Sequence, residues 1–277
     1  MTPQIHRNAV LGVALGLACT LLVAACATTT SSTGRKQYVG AVSQDQLNQL
    51  GIQAFNEEKA KKPLSQDARQ NAYVRCVVNA IVRELPPQWQ QGGWESAVFV
   101  DKSANAFALP GGKVGVYTGI FDVAKTQGQM AAVIGHEIGH VVERHHDERV
   151  TRQMGAAGAV QLLGALVGAR YGEGGQDLAT QGGSVLAQTG FLLPGTRDQE
   201  NEADIVGQRL MAQAGFDPHQ AIDLWENMLA ANPSRPPQWL STHPDPKARI
   251  GQMRKHADAL MPTYEQARAA GRKPNCG

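Results

Sequence analysis

The sequence predicts an α+β fold, predominantly helical, with a small β-sheet ending in a hairpin beside a helix that carries two histidines. Three observations predict it: helical spacing of apolar residues over most of the chain, strand-like alternation confined to residues 94–118, and His136-Glu137-Ile138-Gly139-His140 embedded in uncharged residues. Composition agrees. The 277 residues are 42% hydrophobic and 18% charged with a formal net charge of +2, which describes a globular chain and excludes disorder, collagen and coiled coil. With no block of Lys and Arg, the chain lacks the footprint of a nucleic-acid binder.

The first residues address where the chain lives. Residues 1–8 carry Arg7 and no acid, residues 9–25 are apolar or small, and Val23-Ala24-Ala25-Cys26 closes the run. That run is short for a spanning helix, which needs about 20 residues, and its end resembles the lipobox of bacterial lipoproteins, where the Cys becomes the lipidated first residue. Cys19 is a poorer candidate, because Gly16 stands where Leu is usual. An uncleaved anchor helix is the alternative. The expected organisation is a signal peptide over 1–25, a flexible polar tether over 26–38 and one domain over 39–277. Residues 1–25 hold one of the 26 basic residues and none of the 24 acidic ones, leaving a charge of +1, so lipid on Cys26 and not charge would hold the chain at its membrane. The expected place is the periplasm, and Ala27 favours the outer membrane under the enterobacterial sorting rule. In that oxidising compartment the remaining pair, Cys76 and Cys276, predicts one disulfide; the alternative is a buried Cys76 and a free Cys276.

Taken in order, Ser43-Gln44-Asp45-Gln46 reads as a capping box that opens a helix to about Lys61, and a second helix over 66–85 stops at Pro86-Pro87. Strands follow at 97–100, 104–109 and 113–118, the last two joined by the turn Pro110-Gly111-Gly112. A helix runs from Gln127 to about Arg149. Residues 154–190, rich in Gly and Ala, read as helix that packs closely or moves over the site; its stretch 153–169 is short and weakly hydrophobic for a membrane span. Helices over 196–214, 218–231 and about 245–260 complete the chain, with no repeat period.

Histidines four residues apart project from one helix face about one turn apart, so both imidazoles reach one ion, and Glu137 lies where it can hold a water at that ion. A catalytic zinc takes three protein ligands and keeps one position open. Were the helix to continue, His146 would lie about 15 Å along the axis from His136 at ~1.5 Å per residue, too far to share an ion, and Glu143 rises along the same face. His145, His146 and Glu148 then read as a solvated helix end. Glu200 is the stronger third ligand. Thr196 with Gln199 makes a capping box that puts Glu200 in a first turn, on a stripe with Ala203, Asp204, Gly207, Leu210 and Met211. Two carboxylates on such a stripe are costly to bury unless a cation and an imidazole meet them, which suits Glu200 as ligand and Asp204 as acceptor from a ligating His. Glu202 points elsewhere, toward solvent.

These residues resemble the zinc metallopeptidases of the CAAX prenyl protease and HtpX type, zincin-like gluzincins. The resemblance rests on the His-Glu-x-x-His helix, a Glu-x-x-Ala-Asp helix, the strand segment Asn105-Ala106-Phe107-Ala108-Leu109-Pro110-Gly111-Gly112, and Ser241-Thr242-His243-Pro244 followed by Arg249. With the lipobox it looks like the periplasmic lipoprotein branch. The resemblance implies Zn2+ held by His136, His140 and Glu200, Glu137 as general base, Asp204 as supporting carboxylate or proton donor, and His243 as a residue that stabilises the oxyanion or caps the zinc; otherwise His243-Pro244 is a turn capping the next helix. The expected function is an endopeptidase acting on unfolded or extended segments of misfolded or misassembled envelope proteins, paired with the 105–109 strand. The alternatives are a zinc-containing chaperone or assembly module without proteolysis, and a latent protease.

Overall fold

Residues 27–39, most of the expected tether, are folded. In the computed structural model, which describes residues 27–155, 158, 195–231, 238–243 and 246–277, strands Ala27–Thr30 (β1) and Lys36–Val39 (β2) pair antiparallel. The physical reason is a buried carboxylate: Ser31, Thr33 and Arg35 from the hairpin turn all bond Glu202, while Gln37 Nε2 donates to the Glu143 carbonyl at 2.6 Å. A run of Ser and Thr reads as solvated chain in the sequence; here its hydroxyls satisfy a buried acceptor. The expected signal peptide with Cys26, and most of the Gly-rich stretch 154–190, lie outside the described residues.

Helix α1 (Gln44–Lys61) opens with the expected capping box, Ser43 Oγ accepting from Gln46 N–H and Gln46 Oε1 from Ser43 N–H. Helix α2 (Ala68–Val82) is shorter than expected, because Asp67 caps it by accepting from Arg69 and Gln70 N–H. A four-residue helix, α3 (Pro87–Gln90), leads to the sheet. Strands β3 (Glu95–Phe99), β4 (Ala106–Leu109) and β5 (Lys113–Tyr117) lie in the order β3-β5-β4, β4 and β5 forming the antiparallel hairpin and β3 running parallel to β5. β4 is therefore an edge strand. Phe55, Phe99, Phe107 and Tyr117 cluster on one face of the sheet at centroid separations of 5.9–6.3 Å. Val114, Val116 and Ile134 lie in the main core, where the sheet meets the next helix.

That helix, α4 (Gln127–Val142), is buried from Gly128 to Val141, which explains its continuous uncharged run. It ends earlier than periodicity suggests. Arg144 takes φ 57°, a left-handed conformation that turns the chain before helix restarts over 145–155 (α5). Helix α6 (Arg197–Ala214) carries the expected Thr196–Gln199 capping box and ends at Gly215, whose φ of 84° suits glycine; Phe216 N–H then donates to the Met211 carbonyl at 2.9 Å. Helices α7 (Gln220–Ala230), α8 (Gln238–Thr242) and α9 (Pro246–Ala269) follow. α9 runs past its expected end at about residue 260 and contains Pro262. Beyond it, Arg272 N–H donates to the Ala267 carbonyl, and Cys276 is disulfide-bonded to Cys76 of α2 with Cα atoms 5.5 Å apart. The expected disulfide is thus present, and it fastens the C-terminal tail across α2. Among the described residues no helix is long and apolar enough to cross a membrane.

Candidate metal centre

The site forms where α4 crosses α6, and small residues set the distance. A Cβ on Gly207 would stand 2.8 Å from the His136 backbone nitrogen and 2.9 Å from the Gly135 carbonyl carbon; one on Gly139 would stand 3.0 Å from the Ala203 carbonyl oxygen. Backbone meets backbone, so His136 and His140 on α4 reach Glu200 on α6.

His136 and His140 bring their Nε2 atoms to 3.1 Å of each other, and Glu200 places Oε2 3.4 Å from the first and Oε1 3.6 Å from the second. Glu200 is fully buried and, among the described residues, neither of its oxygens accepts a hydrogen bond, although Arg249 Nη1 stands 3.0 Å from Oε2 as an ion pair. A buried carboxylate that makes no hydrogen bond among the described residues and turns its oxygens toward two imidazole nitrogens fits a divalent cation, and two imidazoles with a carboxylate suit zinc. His243 joins the same group: one ligand atom from each of His136, His140, Glu200 and His243 lies within 4.8 Å of the others.

The supporting residues fix these rings. His136 Nδ1–H donates to Asp204 Oδ1 at 3.0 Å, which turns Nε2 toward the site. Asp204 in turn accepts from Arg249 at both oxygens, Nε to Oδ2 at 2.7 Å and Nη2 to Oδ1 at 2.8 Å, and the guanidinium stacks over Trp225. Burial alone would raise the Asp204 carboxyl, but Arg249 and His136 hold it well below the usual range. His136 shows the converse: burial favours the neutral ring, yet Asp204 and Glu200 lift it to about 9, the mark of a site whose field favours positive charge. Burial, reinforced by His136, holds His140 well below its ordinary value.

Glu137 lies beside this group with Oε1 accepting from Trp239 Nε1–H at 2.7 Å. Its burial pushes the carboxyl up to about 7, within reach of proton transfer near neutrality. Burial pushes His243 down to about 3, so the ring is neutral; Nδ1–H donates to the Trp239 carbonyl at 2.9 Å, and Nε2 stands 3.4 Å from Glu137 Oε1. The sequence therefore named the residues that meet here. It missed Trp239, which reaches Glu137 only through the packing of α8 against α4 and has no local signal.

The expected solvated helix end is a correction. His145, His146 and Glu148 are buried, because the turn at Glu143–Arg144 folds α5 back instead of letting α4 run on into solvent. His145 Nδ1 lies 2.8 Å from His140 Nδ1, and its Nε2–H donates to Glu202 Oε2 at 3.0 Å. Glu202, expected toward solvent, is only 3% exposed. Burial would raise it, but His145, Arg35, Ser31 and Thr33 hold its carboxyl well below the usual range.

Residues 68–257 match the sequence profile of peptidase family M48. The mitochondrial metalloendopeptidase OMA1 of Schizosaccharomyces pombe is 41% identical over 159 residues, covering 57% of this chain and 44% of the relative. The beta-barrel assembly-enhancing protease of Escherichia coli K12 is 31% identical over 173 residues, 59% of this chain and 34% of the relative. Its namesake in Yersinia pestis is 28% identical over 226 residues, 80% and 46%. The chain spans less than half the length of each of these relatives.

Proposed function

The chain belongs to peptidase family M48, and from that premise we propose that it is a zinc-dependent endopeptidase acting on extended polypeptide. The observation that carries the proposal is the buried Glu200 carboxylate, without a hydrogen bond among the described residues, facing the Nε2 atoms of His136 and His140. These three residues would hold the zinc. When bound, zinc at such a site polarises a carbonyl and lowers the pKa of a water. The remaining work belongs to the chain. Glu137, oriented by Trp239 and lifted to about 7 by burial, takes the proton of the attacking water and delivers it to the leaving amine. Asp204 and Arg249 keep His136 in one tautomer. Strand β4, at the edge of the sheet among the described residues, is where an extended segment would pair, which favours backbone pairing over sequence recognition.

The site roles of His136, His140, Glu200, Glu137, Asp204 and His243 are part of this proposal. So is the setting: a single domain beyond an export signal over 1–25, lipid on Cys26, and quality control of misassembled envelope proteins in the periplasm, with the outer membrane favoured. Its support is the apolar run closed by Cys26 and the likeness to beta-barrel assembly-enhancing proteases. The test is Glu137→Gln. The variant should bind zinc as the wild type does and cleave an unfolded polypeptide about 10²–10⁴-fold more slowly; equal cleavage overturns the assignment. Full rescue of a deletion strain by the same variant would favour an assembly module without proteolysis.

A second reading, a latent peptidase, is supported by His243 standing among the ligands. Under it, His243→Ala raises basal cleavage; under the oxyanion role it lowers kcat.

A further inference from the structure

His136 and His140 are supported differently. His136 rests directly on a carboxylate, Asp204. Behind His140 stands another imidazole, His145, and only then a carboxylate, Glu202. The directions of the bonds follow from the zinc reading above, on which this inference rests. If His140 coordinates through Nε2, the atom 3.1 Å from His136 Nε2, its Nδ1 carries the proton. His145 Nδ1, 2.8 Å away, must then accept, so the proton of His145 sits on Nε2 and points to Glu202 Oε2 at 3.0 Å. With both rings neutral, no other placement of the protons makes both bonds while leaving His140 Nε2 its lone pair.

We propose that His145 is a positioning residue for the metal: it fixes the tautomer and tilt of His140, and Glu202 fixes His145. Glu202 has no freedom of its own, because Ser31, Thr33 and Arg35 of the β1–β2 hairpin bind its two oxygens. The N-terminal hairpin is thereby tied to the metal centre through three successive hydrogen-bonded links, and the left-handed turn at Arg144 is the device that brings His145 back beneath His140. Removing a partner of this kind lowers metal affinity about 10–100-fold.

The two polar ends of His145 can be tested apart on the purified full-length chain. In His145→Asn the amide oxygen takes the place of Nδ1 and still accepts from His140; in His145→Gln the amide nitrogen takes the place of Nε2 and still donates to Glu202. Zinc affinity is measured by competition with a chromophoric chelator, and ligand geometry by the visible spectrum of the cobalt-loaded chain. The proposal expects His145→Asn to keep wild-type affinity and spectrum, and His145→Gln and His145→Ala to lose about 10–100-fold in affinity with a shifted spectrum. A residue that merely pairs Glu202 gives the opposite rank, Gln above Asn, and that order overturns the proposal, as do equal affinities in all three. Should His145→Ala fail to fold, the Asn–Gln pair still decides. His140→Ala separates this inference from its premise: if it abolishes zinc binding while the His145 variants bind normally, only the positioning role falls, and if it binds as tightly as wild type, the zinc reading falls with it.

Discussion

Glu200 and Glu202 stand two residues apart on α6, both buried, in opposite surroundings. Glu202 is met by four protein donors: Ser31 Oγ, Thr33 Oγ1 at 2.5 Å, Arg35 Nε at 2.8 Å and His145 Nε2 at 3.0 Å. Glu200 accepts no hydrogen bond among the described residues and faces two imidazole nitrogens at 3.4 and 3.6 Å, with Arg249 Nη1 3.0 Å from Oε2 as an ion pair. With 3.6 residues per turn, neighbours two apart point to nearly opposite sides of a helix, so one turn of α6 serves two kinds of region. Burial of a carboxylate is therefore no sign of a metal centre by itself. The distinguishing feature is the set of partners: four hydrogen-bond donors at Glu202, and at Glu200 two imidazole nitrogens and the Arg249 guanidinium with no hydrogen bond among the described residues, the arrangement on which the zinc proposal rests.

Exchanging the two carboxylates for neutral side chains gives the largest expected effects, and they differ in kind. Wild-type chain at a zinc concentration 100 times Kd gains about 2.7 kcal/mol of stability by mass action. Glu200→Gln should lose that gain altogether, with no zinc retained after gel filtration. Glu202→Ala should keep one zinc and a zinc-dependent shift in Tm, while its metal-free stability falls by about 1–3 kcal/mol, because His145 and the hairpin hydroxyls lose a buried acceptor and Arg35 keeps only Glu148. Urea unfolding with and without zinc reads both. A zinc-dependent shift in Glu200→Gln, or none in Glu202→Ala, would erase the distinction.

A smaller effect separates the regions by packing. In Gly207→Ala the new methyl meets the backbone of Gly135 and His136, which cannot swing aside as a side chain would. The helices must part, at a cost of about 1–3 kcal/mol, and the displacement falls on His136 rather than on the hairpin. Zinc affinity should drop while residues 31–37 stay resistant to limited proteolysis; early cleavage there would mean that the hairpin depends on the same helix spacing.

The two carboxylates also mark what the sequence could convey. Glu200 and Asp204 were legible because two acids interrupt a stripe of small and apolar residues, a local pattern, and the Thr196–Gln199 and Ser43–Gln46 boxes were legible because a cap lies within four residues of its partner. Glu202 was not, because its partners are distant in sequence: Ser31, Thr33 and Arg35 lie more than 160 residues away, with separations of 171, 169 and 167. His145 was lost for a different reason. Its position depends on the φ of 57° at Arg144, and an Arg carries none of the signal that a Gly would have given for a left-handed turn. The tether failed with them, since a Ser/Thr-rich segment is solvated only if no buried acceptor claims its hydroxyls.

Acid separates the two regions by order of events. Glu148 and Glu202 are both held below the ordinary carboxylate range against the upward push of burial, Glu148 by Arg35 and Gln199 and Glu202 by His145 and Arg35. A carboxylate lowered in the folded state stabilises the fold fully above its unfolded value, about 4.3, and loses that contribution as pH falls through the lower folded value. Hairpin docking should thus persist down to about pH 4 and fail below it. Zinc should leave earlier, because protons compete directly for the imidazole ligands. Released zinc, followed with a metal indicator, should precede the loss of hydrogen-exchange protection over residues 27–39, once exchange is corrected for its intrinsic pH dependence. The reverse order would mean that the hairpin, and not the ligand protonation, sets the acid limit of the metal centre.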